Sequence, residues 1–226
     1  MITEVQEKMS KFQKPKMSEL ISRSFKEYRA ESTEEGVGHI TGVPIVFEQP
    51  TDICGWFEET IARGAISEDV LRDVAFFYNH DLNTKPLART RTGKLALTIE
   101  NDGVHMDASV NLERSDAKDL YLAVQDGDID GMSFMFRVEG EEWTDLESDY
   151  PKRRITKIGY VQEVSAVNYP AYDGTSINAR DAESADADKA ALDSARAKAG
   201  LDGRQAEPDG DALELEKLKA KYLYGI

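Results

Sequence analysis

His80 is the residue of this sequence whose type and position most directly suggest chemistry. It ends the segment VAFFYNH, in which a fully apolar run gives way to a polar loop. A strand that ends in this way can present its side chains at the rim of a site. Histidine is also the usual general base near neutral pH. A surface histidine in a turn between Asn79 and Asp81 explains the same pattern, so position alone leaves both interpretations open.

Ser133 is the candidate nucleophile, in the segment GDIDGMSFMFRV. Alternation along this strand-like run places Ser133 on one face with Met135 and Arg137, and Met132 and Phe134 on the other. A serine attacks a carbonyl group only when a neighbouring base activates its hydroxyl. Because a lone serine in a strand is ordinarily just a small polar residue, the spacing by itself favours a structural role.

Glu163 is unusual for its apolar neighbours. In GYVQEVSAV it shares a strand face with Val161, Ser165 and Val167. A carboxylate drawn into such surroundings needs a charged or hydrogen-bonding partner. The alternative is an edge strand whose Glu163 face is in water, and the sequence does not decide between the two.

The other reactive residues and motifs of the sequence do not indicate a further catalytic or cofactor site. His105 shares its face with Asp107, Ser109 and Asn111, which indicates a solvated surface. Cys54 is the only cysteine, so no internal disulfide can form, and without a basic neighbour we expect it to be a small buried thiol. The chain has no Walker loop, no dinucleotide fingerprint and no HExxH motif, which argues against a nucleotide, a structural zinc ion or another cofactor.

Length and composition indicate one domain with polar appendages. Of the 226 residues, 40% are hydrophobic and 31% are charged, and no apolar run approaches the ~20 residues of a membrane-spanning helix. The opening MITEVQEKMSKFQK has no apolar stretch behind its charges, so we expect no secretory signal and a location in the cytoplasm. A net charge of −15 argues against nucleic-acid binding, because that affinity depends on Lys and Arg neutralising phosphates. We therefore expect neither a membrane nor a nucleic acid as a partner.

The charge is unevenly distributed between the two ends of the chain. Residues 1–30 carry 7 basic and 4 acidic residues, a net charge of +3, whereas residues 181–216 carry 4 basic and 11 acidic residues, a net charge of −7. The two ends are therefore electrostatically complementary to each other or to partners.

Hydrophobic periodicity predicts a mostly β (α+β) domain with a few short helices. The segment HITGVPIVF is rich in β-branched residues and reads as a strand, and the NDG turn at residues 101–103, flanked by alternating residues, predicts a hairpin. Further strands are predicted at residues 131–138 and 155–168. Ser115 is the predicted N-cap of a helix whose apolar stripe consists of Ala117, Leu120, Tyr121 and Val124.

The chain divides into three predicted parts. Residues 1–33 form a charged N-terminal segment, residues 34–180 the domain that carries the candidate site residues, and residues 181–226 an acidic, alanine-rich tail that is a linker or a marginal helix outside the core. Within the tail, residues 211–224 fit a terminal amphipathic helix. The N-terminal segment contains three apolar residues that fit either a short amphipathic helix or an edge strand: Ile21, Phe25 and Tyr28.

Taken together, these segments resemble the prohead protease family of tailed bacteriophages, which is related in fold to the herpesvirus assemblins. The likeness rests on several short motifs in the family's order: GHITGVPIVFEQP, GWFEETIARGAI, NHD with the following PLART, GKLALTIENDGVHMDA, VQDGDIDGMSFMF, and RRITKIGYVQEVSAVNYPAYDGTSI. It covers roughly residues 38–180. PLART has alanine where the family often has glycine, and the acidic tail has no counterpart that we can place.

The resemblance implies an assemblin-like β-barrel core and the activity of a serine endopeptidase without a cofactor. The family's histidine falls on His80, its nucleophile on Ser133, and the acidic third residue on Glu163. Asp81 and His105 remain alternatives for the third position.

The resemblance also implies partners and a place of action. The expected substrates are the major capsid protein with its scaffold segment and the protease itself, inside the immature prohead in the bacterial host. A homodimer is expected because assemblins are activated by dimerisation. Two alternatives are a non-catalytic capsid assembly or scaffold protein that keeps the protease fold, and an unrelated hydrolase of small esters.

Overall fold

Eleven strands and two α-helices form the part of the chain that the structure, a computed structural model, describes: residues 20–25, 28–34, 36–168 and 179–201. The strands are β1 (Ile21–Phe25), β2 (Tyr28–Glu34), β3 (Val37–Val46), β4 (Thr51–Ile53), β5 (Phe57–Ile61), β6 (Ala75–Tyr78), β7 (Ala88–Arg89), β8 (Leu95–Ile99), β9 (Gly103–Asn111), β10 (Gly131–Thr144) and β11 (Lys152–Val167). The helices are α1 (Ser115–Asp126) and α2 (Ala179–Lys198), and 3-10 helices cover Glu68–Leu71 and Thr90–Thr92.

The larger sheet has seven strands and is built around the long hairpin of β10 and β11. Its order is β1-β10-β11-β5-β4, and β6 pairs in parallel with β11 and antiparallel with β7. The register of β10 against β11 shifts at four places between Met135 and Glu141. Such bulges bend a strand and increase its twist. The regular pairing of the hairpin is therefore interrupted just beyond the segment that carries Ser133.

The smaller sheet has four antiparallel strands in the order β2-β3-β9-β8. The predicted hairpin at residues 101–103 is present as the turn between β8 and β9. Glycine is needed at the end of this turn, because a Cβ on Gly103 would lie 2.1 Å from the carbonyl oxygen of Ile45. The turn therefore fixes both the hairpin and its contact with β3.

The hydrophobic core lies between the sheets and α1. The strand face opposite Ser133 enters this core, as the alternation predicted, and so does the predicted stripe of α1. The core residues from these two segments are Met132, Phe134, Phe136, Ala117, Leu120, Tyr121 and Val124. Full burial of a side chain such as Phe134 contributes about 1.5–3 kcal/mol. This packing orients β10 so that Ser133 faces away from the core.

The mostly β class is confirmed, but the sheets do not close into a barrel within the described part of the chain. The seven-stranded sheet runs from β1 at one edge to β4 at the other, and the four-stranded sheet has β2 and β8 at its edges. The contact that brings β1 to β5 across the larger sheet is made by side chains, Arg23 and Glu59, rather than by backbone pairing. The closed barrel implied by the resemblance is therefore not confirmed.

The described part of the N-terminal segment belongs to the sheets. Of the two alternatives for this segment, the edge strand is the one observed: β1 pairs with β10 from Ile21 opposite Phe136 to Phe25 opposite Met132. The next strand, β2, pairs with β3. The first 19 residues lie outside the described part.

The described part of the acidic tail is a helix, one of the two predicted alternatives, but it packs on the domain instead of lying outside the core. It forms α2, in which Leu192 is fully buried in a cluster with Ile53 and Phe57, and Asp188 is buried as well. The composition did not predict this packing because α2 buries a charged residue, Asp188, that is paired with arginines. The hydrophobic content of a sequence does not reveal such pairs. The predicted helix at residues 211–224 lies outside the described residues. None of the described helices has the length and apolar character needed to cross a bilayer.

Candidate active site

His80 and Glu163 form a buried pair. The Nδ1 atom of His80 lies 2.7 Å from Oε1 of Glu163. Glu163 is completely buried and His80 is 7% exposed, which excludes the alternative in which the Glu163 face is in water. Because an ionised carboxylate can only accept, Nδ1 of the ring carries the proton in this contact. In the neutral ring the basic lone pair is then on Nε2.

The end of β6 holds His80 in an uncommon backbone conformation. The parallel pairing of β6 with β11 carries the chain to Asn79 and His80, whose φ angles are 49° and 56°. The Asn79 N–H donates to the carbonyl oxygen of Ala166 at 2.8 Å, and Asn79 Oδ1 accepts from the Asn168 N–H at 3.1 Å. Left-handed residues other than glycine cost of order 1–3 kcal/mol each and persist where the surroundings fix them. These bonds to β11 and to the residue that follows it provide that fixation.

Ser165 links the backbone of His80 to the carboxylate of Glu163. The His80 N–H donates to Ser165 Oγ at 3.2 Å, and the Ser165 hydroxyl donates to Oε2 of Glu163 in a short contact. Ser165 is completely buried. In the sequence, Ser165 is marked only by its place two residues after Glu163 on the same strand face, and that spacing is the one signal of its role.

Ser133 lies one strand away from this pair. It is directly opposite Ser165 in the register of β10 and β11, and side chains of directly opposed residues share a face with Cβ atoms about 4.5–5.5 Å apart. Ser133 is completely buried, and its hydroxyl donates to the carbonyl oxygen of Arg23 at 2.9 Å. Because a serine hydroxyl has one proton, in this state that proton is directed towards β1 and not towards His80.

The strand that meets Ser133 is anchored by a buried ion cluster. Arg23 donates to both carboxylate oxygens of Glu59, at 2.6 and 2.9 Å, and to Asp188 at 3.0 Å. Arg153 donates to the same two carboxylates, at 3.1 Å to Glu59 and 3.0 Å to Asp188. We call Arg23, Glu59, Arg153 and Asp188 the buried ion cluster. It ties β1, β5, β11 and α2 together.

The pKa values of the two acids in the buried ion cluster move in opposite directions. Burial acts to raise the pKa of Glu59, but the charges of Arg23 and Arg153 outweigh it and hold that pKa below its usual value. Burial, together with the nearby charge of Glu59, raises the pKa of Asp188. Glu59 is therefore the firmly ionised partner of the two arginines.

The other reactive residues lie elsewhere. Asp81 accepts from the Asn83 N–H at 3.0 Å within its own turn, and His105 is bonded to Asp102 at 2.9 Å on the exposed β8–β9 hairpin. The structure thus brings Glu163, rather than either alternative, to Nδ1 of His80. Cys54 is exposed, so the expectation of a buried thiol was wrong. It occupies a tight turn between β4 and β5 with a φ of 54°.

Among the described residues, one exposed group has the ligand types of a metal site. Ligand atoms of Glu100, Asp102 and His105 lie within 4.8 Å of one another. His105 belongs to the smaller sheet, whereas Ser133 and Glu163 belong to the larger one. The group is therefore separate from the His80–Glu163 pair.

A histidine bound to a buried carboxylate, with a serine one strand away, supplies the residue types that serine hydrolases use for acyl transfer. The carboxylate orients the imidazole, the imidazole can take a proton on Nε2, and the serine can attack a carbonyl carbon. A mostly β protein with this combination falls in the class of candidate serine hydrolases.

Comparison with known sequences gives the family. A sequence model described as "Caudovirus prohead serine protease" matches residues 25–190, and the chain belongs to this family. The prohead protease of Enterobacteria phage HK97 is 30% identical over 161 residues, which cover 69% of this chain and 66% of that protein's length. Among solved structures, the capsid assembly protease of bacteriophage T4 is similar with a TM-score of 0.44 and 15% identity, over 67% of this chain and 98% of that one.

Proposed function

We propose that the chain is a serine endopeptidase that matures phage proheads, with Ser133 as nucleophile, His80 as base and Glu163 as the residue that orients the base. The observation that carries the proposal is the buried contact between His80 Nδ1 and Glu163 Oε1, made one strand away from Ser133. Membership of the prohead serine protease family supports it.

In the proposed mechanism Ser133 Oγ attacks the carbonyl carbon of a peptide bond while Nε2 of His80 takes the hydroxyl proton. The same proton then passes to the departing amine, which leaves an acyl-enzyme that water hydrolyses by the reverse sequence. Glu163 stabilises the imidazolium that forms in each half of the reaction. Hydrogen-bond donors directed at the attacked carbonyl oxygen are required for the developing oxyanion.

The described state precedes this reaction. The Ser133 hydroxyl is bonded to the Arg23 carbonyl of β1. Attack requires that hydroxyl to turn from β1 towards His80, and a substrate strand needs access to the same region of β10. A local rearrangement of β1 is therefore part of the proposed cycle.

The proposed substrates are the scaffold segment of the major capsid protein and the protease itself. The supporting observations are the family description and the relatives' names, prohead protease and capsid assembly protease. The proposed place of action is the inside of the immature prohead in the host cytoplasm, where cleavage is confined to assembled shells. A homodimer is part of the proposal through the likeness to assemblins.

Co-expression of each variant with the major capsid protein, followed by electrophoresis of purified shells, tests the proposal. Ser133→Ala should assemble shells whose scaffold segments stay uncleaved, and His80→Ala should give the same result. Ser109→Ala, a serine of the smaller sheet, is the matched control and should process normally. Normal processing by Ser133→Ala would end the serine mechanism. Failure of Ser133→Ala shells to form would favour a non-catalytic assembly protein.

A further inference from the structure

We propose that Ser165 is a positioning residue that sets the geometry of both the base and its carboxylate partner. The proposal rests on the function proposed above and adds a fourth side chain to it. Ser165 acts through His80 and Glu163 rather than by contact with the substrate.

The hydrogen-bond directions around Ser165 follow from the number of protons available. The backbone N–H of His80 can only donate, so Ser165 Oγ is the acceptor in that 3.2 Å contact. The single hydroxyl proton is therefore free to go to Oε2 of Glu163. Glu163 then has a donor on each oxygen, His80 on Oε1 and Ser165 on Oε2. The carboxylate cannot rotate away from the imidazole without losing both contacts.

The backbone contact fixes the other half of the pair. His80 and Asn79 are in the left-handed region, and the Asn79 amide is already bonded to Ala166, the neighbour of Ser165. The His80 amide bonded to Ser165 is the second attachment of this turn to β11. Ser165 thus fixes both the backbone position of His80 and the orientation of the Glu163 carboxylate.

Burial makes the hydroxyl difficult to replace. Ser165 and Glu163 are both completely buried. Removal of the Ser165 hydroxyl takes away the hydrogen-bond partner of the Glu163 Oε2 atom and of the His80 backbone amide. If the bond to the charged carboxylate orients a catalytic pair, its loss corresponds to a rate loss of about 10–100-fold.

Threonine and valine at position 165 provide a matched pair for the test. The two side chains have the same shape, both suit a β-strand, and only threonine keeps the hydroxyl. The rate of labelling by a fluorophosphonate measures the reactivity of Ser133, with Ser133→Ala as the blank. We expect Ser165→Val to label about 10–100-fold more slowly than Ser165→Thr. The control Ser109→Ala should label at the wild-type rate.

A spectroscopic measurement distinguishes positioning from general stability. In protein with ¹⁵N-labelled histidine, the downfield resonance of the His80 Nδ1–H should persist in Ser165→Thr and be lost or moved upfield in Ser165→Val. Equal labelling rates and equal resonances for the two folded variants would overturn the proposal. So would loss of cooperative unfolding in Ser165→Val while Ser165→Thr stays folded, because the hydroxyl would then serve the fold. If the wild-type protein is not labelled at all, the proposed function fails, and the resonance alone decides the role of Ser165.

Discussion

At the scale of single residues, the site depends on the carboxylate of Glu163, which is completely buried and contacts Nδ1 of His80. The alternation of residues around Glu163 fits a buried strand face and a solvent-exposed one equally well. In the structure the face is buried, and Glu163 contacts His80. The burial is tolerable because both carboxylate oxygens accept hydrogen bonds. Glu163 can therefore orient the imidazole of His80 without leaving either of its buried carboxylate oxygens without a hydrogen-bond donor.

Glu163→Gln tests the orienting role of this carboxylate. The amide keeps the size of the side chain but removes the charge that stabilises the imidazolium. We expect labelling of Ser133 by a fluorophosphonate to slow by about 100-fold or more, and by no more than in His80→Ala, because residues that act as a unit are not additive. Gln162→Glu, on the same strand, is the control for charge. Wild-type labelling by a folded Glu163→Gln would exclude Glu163 from the mechanism.

Glu48 offers a pH-dependent test of the structure away from the site. Its carboxylate accepts from Arg154 at 2.7 and 2.8 Å and from the Arg63 N–H at 2.8 Å, and these contacts lower the pKa of Glu48 from 4.5 to about 2. A carboxyl group whose pKa is lower in the folded state stabilises the fold above its unfolded pKa, and that stability is lost as the pH falls.

Comparison of wild type with Glu48→Gln over pH should therefore show a difference that disappears in acid. At pH 7 we expect the variant to lose about 0.2–1 kcal/mol of unfolding free energy, a small value because the ion pair is exposed and screened by solvent. The difference should shrink between pH 4.5 and pH 2. Urea unfolding at several pH values measures it. A difference that grows towards acid would contradict the assigned contacts.

At the scale of elements, patterns with local causes were predicted and those with distant causes were not. The NDG turn and the stripe of α1 are set by neighbouring residues, and both are found as predicted. The packing of α2 was not predicted, because Asp188 is buried by arginines 165 and 35 positions away. Within the described residues the barrel implied by the resemblance is not observed, since β1 reaches β5 through Arg23 and Glu59 rather than through backbone bonds.

Glu59→Gln tests how far the buried ion cluster holds these elements together. Glu59 accepts three hydrogen bonds from Arg23 and Arg153, and its neutralisation leaves these two buried guanidinium groups with one carboxylate fewer. We expect a loss of about 3 kcal/mol in unfolding free energy, measured by urea denaturation. Glu58→Gln is the matched control, since Glu58 is on the same strand with a 3.7 Å contact to Lys152, and should change stability by about 0.5 kcal/mol or less. Equal effects would show that the cluster does not stabilise the fold.

At the scale of the whole molecule, the complementary charge of the two ends has a structural counterpart. The basic N-terminal segment contributes Arg23 and the acidic tail contributes Asp188, and the two are paired 3.0 Å apart. The expectation that the ends are complementary to each other is confirmed for this pair. Because the Arg23 carbonyl accepts from Ser133, the pair also connects the two ends of the described chain to the candidate nucleophile.

The central claim is that Ser133 is the nucleophile activated by His80, and mass spectrometry of the phosphonate-labelled protein tests it most directly. After incubation of the full chain with a fluorophosphonate and proteolytic digestion, we predict a single adduct, on the peptide that contains Ser133. The adduct should be absent from His80→Ala and present in Ser109→Ala. An adduct on another residue, or an unchanged Ser133 adduct in folded His80→Ala, would contradict the account.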